Sequence, residues 1–150
     1  KYAFRDVGVD FGLGLQRWYS GTLGVQRGTF YGGDKTTVAL RGGRLSLSER
    51  LSFEPTLSFN SVDLPQGSFR TDLAVTRFHY AFTPRMFLSG LVQYNSGNDS
   101  FSTNLRLRWE YQPGSELFVV YNDQRNTSLR GFPMLDNRAF IVKFTRLFRF

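Results

Sequence analysis

The chain of 150 residues contains no cysteine, a single histidine and only five prolines. Without cysteine there is neither a disulfide framework nor a thiolate metal site. One imidazole, at His79, excludes the histidine clusters that hold transition metals. Long apolar runs are missing too. Leu117 to Tyr121 is the longest obvious one, far short of the ~20 residues that a membrane helix needs, so helical spanning is excluded. Acidic residues are few, 12 against 19 basic, and the formal charge is +7. Of the basic residues 16 are Arg, dispersed along the chain rather than gathered into the patch that nucleic-acid binding calls for, so no nucleic-acid partner is expected. Lys1 is preceded by no Met and followed by no apolar signal region, which leads us to expect a removed export signal or a longer parent chain.

Aromatic residues are abundant: 16 Phe, 7 Tyr and 2 Trp make up 17% of the chain, beside 15 Gly. A mean hydropathy of −0.30 suits a soluble protein, yet strands that alternate apolar and polar residues give the same average. Nine segments read as strands, most of them from alternation of this kind. The first, Phe4 to Gln16, sets Val7, Val9, Phe11, Leu13 and Leu15 against Asp6, Gly8, Asp10, Gly12, Gly14 and Gln16. Thr22 to Tyr31, Thr36 to Leu47, Leu51 to Asn60, Phe69 to Phe82 and Met86 to Tyr94 follow. A segment through Asn104 to Tyr111, then Glu116 to Asn122 and Ala139 to Phe150, complete the set. In the third the apolar phase switches at Gly42-Gly43, which predicts a β-bulge. Pro55 predicts an irregularity in the fourth, because it cannot donate to a ladder. The fifth changes phase between Val75 and Phe78. The seventh divides most sharply, with Leu105, Leu107, Trp109 and Tyr111 on one side and Asn104, Arg106, Arg108 and Glu110 on the other.

The connections alternate in length. Those near Trp18–Ser20, Ser48–Arg50, Thr83–Arg85 and Gln112–Ser115 are short, whereas Gly32–Lys35, Ser61–Ser68, Asn95–Ser100 and Asp123–Arg138 are mostly longer. Short periplasmic turns and longer outer loops are the pattern of outer-membrane barrels. The short-turn side collects Trp18, Tyr19, Tyr80, Phe82, Trp109, Tyr111, Phe148 and Phe150, an expected girdle at the membrane interface. The predicted fold is therefore all-β, an antiparallel up-and-down transmembrane β-barrel of about eight strands, with nine candidates counted. Single-chain bacterial barrels have even strand numbers. The alternative is the C-terminal part of a larger barrel.

Phe148 and Phe150 end the chain with aromatics two residues apart, and Lys143 holds a polar place before them. This resembles the C-terminal signal read by the outer-membrane assembly machinery, with Thr145 where that signal usually has Gly. Longer stretches carry a second resemblance: Thr29–Asp34, Asn60–Gly67, Gln93–Ser96, Arg108–Asn122, and Asn137-Arg138 with Phe144 and Leu147–Arg149. In these the chain looks like the C-terminal region of a family of exported, poorly characterised Gram-negative proteins, which join an N-terminal carbohydrate-binding-like domain to an outer-membrane barrel. The resemblance implies an outer-membrane location and a longer parent chain. It implies no catalytic residue, and the binding-like domain lies outside the matching region.

The candidate lumen residues are Arg106, Arg108 and Glu110, with Asp6, Asp10, Glu54 and Lys143 expected opposite them as an ion-paired network. In a narrow barrel such side chains fill the interior, and in a wider one they line a path with anion preference. His79 with Asp72 and nearby Ser residues suggests acid–base chemistry only weakly, since no nucleophile motif frames it. Asp34, Asp63, Asp99 and Asp123 read as single loop acids, a weak basis for calcium. We therefore expect a non-enzymatic membrane anchor, scaffold or small channel without cofactor, whose partners are outer-membrane lipid or lipopolysaccharide and the barrel-assembly machinery. The competing reading is a soluble antiparallel barrel around an apolar ligand. The direction faced by Leu105, Leu107, Trp109 and Tyr111 separates the two.

Overall fold

The computed structural model describes residues 4–14, 16–129 and 133–148. Nine strands occur in chain order: β1 (Asp6–Leu13), β2 (Tyr19–Phe30), β3 (Gly33–Ser48), β4 (Leu51–Leu64), β5 (Gly67–Thr83), β6 (Met86–Asn95), β7 (Ser100–Gln112), β8 (Ser115–Asn126) and β9 (Met134–Thr145). They form one sheet in the order β1 to β9, each strand antiparallel to the next. No helix occurs among the described residues. Tight connections leave little choice, because a two-residue link joins only antiparallel neighbours. Tyr31-Gly32 both take positive φ, 48° and 85°, as a type I′ hairpin requires. At Pro113-Gly114 the proline fixes one φ and the glycine supplies the other at 76°.

Cross-strand partners share a face, so the register sorts the side chains. Val9, Val25, Val38 and Phe59 follow one another across β1 to β4. Leu88, Leu107, Val119 and Val142 do the same across β6 to β9. The opposite face carries rows such as Gly8, Gln26, Thr37 and Asn60. One face is apolar across the width, while the other carries the polar and charged residues mixed, from β5 onward, with apolar ones such as Leu91, Phe118, Val120 and Ile141.

No described residue forms a layer over the apolar face. Among the described residues the only buried hydrophobic side chains are Ala39 and Val62, both on the polar side. Val7 is 75% exposed, Phe140 68% and Trp109 42%, and Leu107 is half-buried. Layered soluble folds bury one face of a sheet against another element. Among the described residues there is only this single sheet.

Several expectations are corrected. The sheet is not closed: among the described residues β1 and β9 do not pair, and each leaves an open edge. A closed barrel of about eight strands is thus replaced by nine strands in an open sheet. With nine alternating strands, β1 and β9 run in the same direction, so the antiparallel pairing used everywhere else cannot join them. The final strand stops at Thr145, so Phe148 lies beyond it, and Arg149 and Phe150 lie outside the described residues, as does Leu15. Two of the expected long loops shrink to two residues. Pro65-Gln66 replaces Ser61–Ser68, and Tyr31-Gly32 replaces Gly32–Lys35. The Asp123–Arg138 connection shortens to residues 127–133. These strand ends continue past the apolar band, where both faces turn polar, so alternation no longer marks them.

The predicted bulge is present. Pairing of β3 with β4 shifts between Leu40 and Leu45, and Gly42 has φ 56°. Pro55 keeps an unbroken register with Thr76 of β5, and the expected irregularity is on its other side, where pairing with β3 breaks between Leu57 and Phe53. A Cβ on Gly43 would meet the Pro55 carbonyl at 2.4 Å, so the bulge fits only a bare backbone. The phase change in β5 involves no break in its register with β4; Leu73 and Val75 simply lie on the polar face beside Ser58 and Thr56.

Candidate functional site

The two ends of the apolar face differ in chemistry. At the end of the β3–β4, β5–β6 and β7–β8 turns, aromatic rings meet edge to face. Centroids are 5.0 Å apart for Trp18 and Tyr19, 4.6 Å for Tyr80 and Phe82, and 6.1 Å for Trp109 and Tyr111. Tyr111 also stacks on Phe144 at 5.4 Å, and its hydroxyl donates to the Thr145 carbonyl at 3.2 Å. Six of the eight expected interface aromatics thus gather at one end. Phe148 stands apart with the Arg146 guanidinium 5.0 Å from its ring. Phe144 was missed as a girdle residue, although its place in the final alternation put it on the right face.

The other end holds ion pairs that the sequence reading did not anticipate. Arg27 meets Asp34 at 3.3 Å and Arg70 meets Asp72 at 2.8 Å. Asp123, 5% exposed, accepts from Arg125 at 2.6 Å, from Arg138 at 2.8 Å and from the Tyr121 hydroxyl at 3.0 Å. Arg70 and Arg138 also lie over the rings of Phe59 and Tyr121, at 5.7 and 6.0 Å. Asp34, Asp63 and Asp123 are strand residues rather than loop acids, and among the described residues no acidic group is placed to hold a metal. A signal was available: Arg70/Asp72 and Asp123/Arg125 are opposite charges two residues apart, which on a strand means one face.

Between these ends lies an uncharged band. From Asp72 to Tyr80 β5 advances eight residues, ~26 Å at about 3.3 Å each. Tilted by about 35–45°, as barrel strands are, that spans roughly 18–21 Å, against an apolar belt about 25 Å tall in outer-membrane proteins.

No family model, curated protein or solved structure matches the chain. The residues themselves must therefore carry the functional reading.

The polar face bears the expected lumen residues, but they do not join into one network. Arg106, Arg108 and Glu110 lie on β7, Asp10 on β1, Glu54 on β4 and Lys143 on β9, all on this face. In the open sheet Asp10 is far from Arg106, and local partners replace the expected ones. Asp10 pairs with Arg41 at 3.6 Å, Asp6 accepts from Gln26, and Arg108 pairs with Glu116 across β7 and β8. Glu110 accepts from the Gly114 amide at 3.1 Å, and Arg106 lies 5.5 Å over the Phe118 ring. Glu54 and Lys143 form no ion pair among the described residues. Cross-strand and i+2 neighbours outcompete residues on distant strands. His79 and Asp72 project to opposite faces of β5, beside Ser52 and Phe59 respectively, so these two residues do not come together.

Proposed function

We propose that the chain is the wall of an outer-membrane β-barrel, a non-enzymatic membrane anchor, scaffold or small channel, with its apolar face toward lipid and its Arg-bearing face toward the interior. The observation that carries this reading is an apolar face running across nine strands with no second layer over it among the described residues. In water such an area draws a partner or aggregates. In a bilayer it is the normal outer surface, and its aromatic end matches the preference of Trp and Tyr for the interface. The ion-paired end then meets outer-leaflet headgroups, making lipopolysaccharide the natural lipid partner.

The open edges refine the proposal. Unpaired backbone groups are not tolerated in hydrocarbon, so β1 and β9 must find partners there. Barrels of this class close with even strand numbers. Nine strands therefore belong to a larger closed wall, to which an odd number of further strands contributes. This agrees with the resemblance to the C-terminal barrel region of an exported Gram-negative family and with delivery by the barrel-assembly machinery.

Bromine-labelled acyl chains test the orientation, because bromine quenches a nearby indole. Trp18 and Trp109 are the only tryptophans, so a Trp18→Phe variant isolates Trp109. Strong quenching of Trp109 in vesicles, with a folded band that shifts on heating in gels, is the expected result. An unquenched, detergent-independent monomer with Trp109 sealed inside would return the soluble apolar-ligand barrel. Planar-bilayer recordings then separate a channel from a plugged anchor.

A further inference from the structure

We infer that the polar face carries a binding site for a phosphate-type oxyanion, centred on His79 and built by β3 to β7. One unbroken row of cross-strand partners runs Ser46, Ser52, His79, Ser89, Arg106. Such neighbours stand about 4.5–5.5 Å apart at Cβ, so Ser52, His79 and Ser89 can donate to one ligand lying over the middle of the row. Arg44 borders the row and lines two adjoining hollows. One, of about 460 Å³, has Ser46, Ser52 and His79 on its wall, and the other, of about 510 Å³, has Glu54 and Arg77.

The cations here have no carboxylate partner, although Arg106 lies over the Phe118 ring. On the same face Arg41 and Arg108 are engaged by Asp10 and Glu116. Arg44, Arg77 and Arg106 form no ion pair among the described residues, although Glu54 is the direct partner of Arg77. Arg44, Arg50, Arg77 and Arg106 with the three hydroxyls of the row, against the two carboxylates Glu49 and Glu54, make a donor-rich and net positive surface around the imidazole. A metal ion finds too few acids here. Asp72, the acid that the sequence offers to His79, is on the other face. An anion with several oxygens suits the set, since guanidinium groups bind phosphate oxygens in bidentate fashion. The register alone places these residues, so the inference stands whether or not the apolar face meets lipid.

His79 is the sole histidine and supplies one imidazole resonance as a reporter. Inorganic phosphate is titrated into the folded protein at constant ionic strength, balanced with chloride. A saturable shift of the His79 signal is expected. It should weaken more than tenfold in an Arg44→Gln/Arg77→Gln variant and stay unchanged in Arg138→Gln on the opposite face. Should the double variant not fold, Ser52→Ala with Ser89→Ala removes donors without charge and should weaken the shift several-fold. A short-chain phosphatidic acid that saturates the signal below the phosphate concentration supports the site and assigns it to a lipid headgroup; the reverse order supports a soluble phosphate. A His79 signal that moves no further with phosphate than with chloride overturns the inference. Equal saturation in wild type and in the folded variants does the same.

Discussion

The two ends of the apolar face rest on the same strands and share the same register, yet one is finished with rings and the other with ion pairs. Trp109, Tyr111 and Phe144 need no charge partner and tolerate a boundary that is half apolar and half wet. Asp123, Arg125 and Arg138 need one another, because a carboxylate 5% exposed beside apolar neighbours must be matched. The contrast separates an end of uncharged rings from an end of matched charges. On the proposed reading it also gives the sheet a direction across the membrane.

Carrying the charge of one end into the middle of the band is the harshest way to break the contrast. Leu107→Arg should cost about 2–4 kcal/mol of folding stability in vesicles, measured by denaturant titration. Asn104→Arg, on the polar face of the same strand, should change it by well under half as much. Equal effects at the two positions would place both faces in the same medium. The next largest effect is expected at the ion-paired end. Asp123→Asn leaves both Arg125 and Arg138 without their carboxylate and should lower the temperature at which the folded gel band disappears. Asp72→Asn, which frees only Arg70, should lower it less.

At the aromatic end, Phe144→Leu keeps the apolar volume and removes the stack on Tyr111, so a loss of about 0.5–1.5 kcal/mol is expected in the same denaturant titration. The smallest change is Arg27→Gln. Its pair with Asp34 is more than half exposed on both sides, which limits the effect to about 0–1 kcal/mol and makes it fade with added salt. A larger, salt-resistant loss at Arg27 would mean that this end is packed against something that excludes water.

Legibility in the sequence followed the apolar band. Where Val7, Val9 and Phe11 alternate with Asp6, Gly8 and Asp10, the strand and its faces could be read directly. The Gly42-Gly43 bulge was readable for a similar reason, since a phase switch beside two glycines has few other solutions. Ser61, Val62 and Asp63 were read as loop because β4 there has left the band, and their pairing with Arg70, Phe69 and Ser68 is visible only in the register. The ion-paired end was lost with them. The oxyanion row was hidden for a different reason: Ser46, Ser52, His79, Ser89 and Arg106 come from five separate strands.

Alternation alone determined that this chain makes strands with one apolar and one polar face, because a period of two leaves each side chain no other direction. Which strand pairs with which residue of its neighbour, and hence which cations are neutralised and which stand free, was decided only when the register locked. So was the open state of the sheet, since whether β1 and β9 meet depends on how nine strands accumulate across its width, a quantity no local pattern encodes.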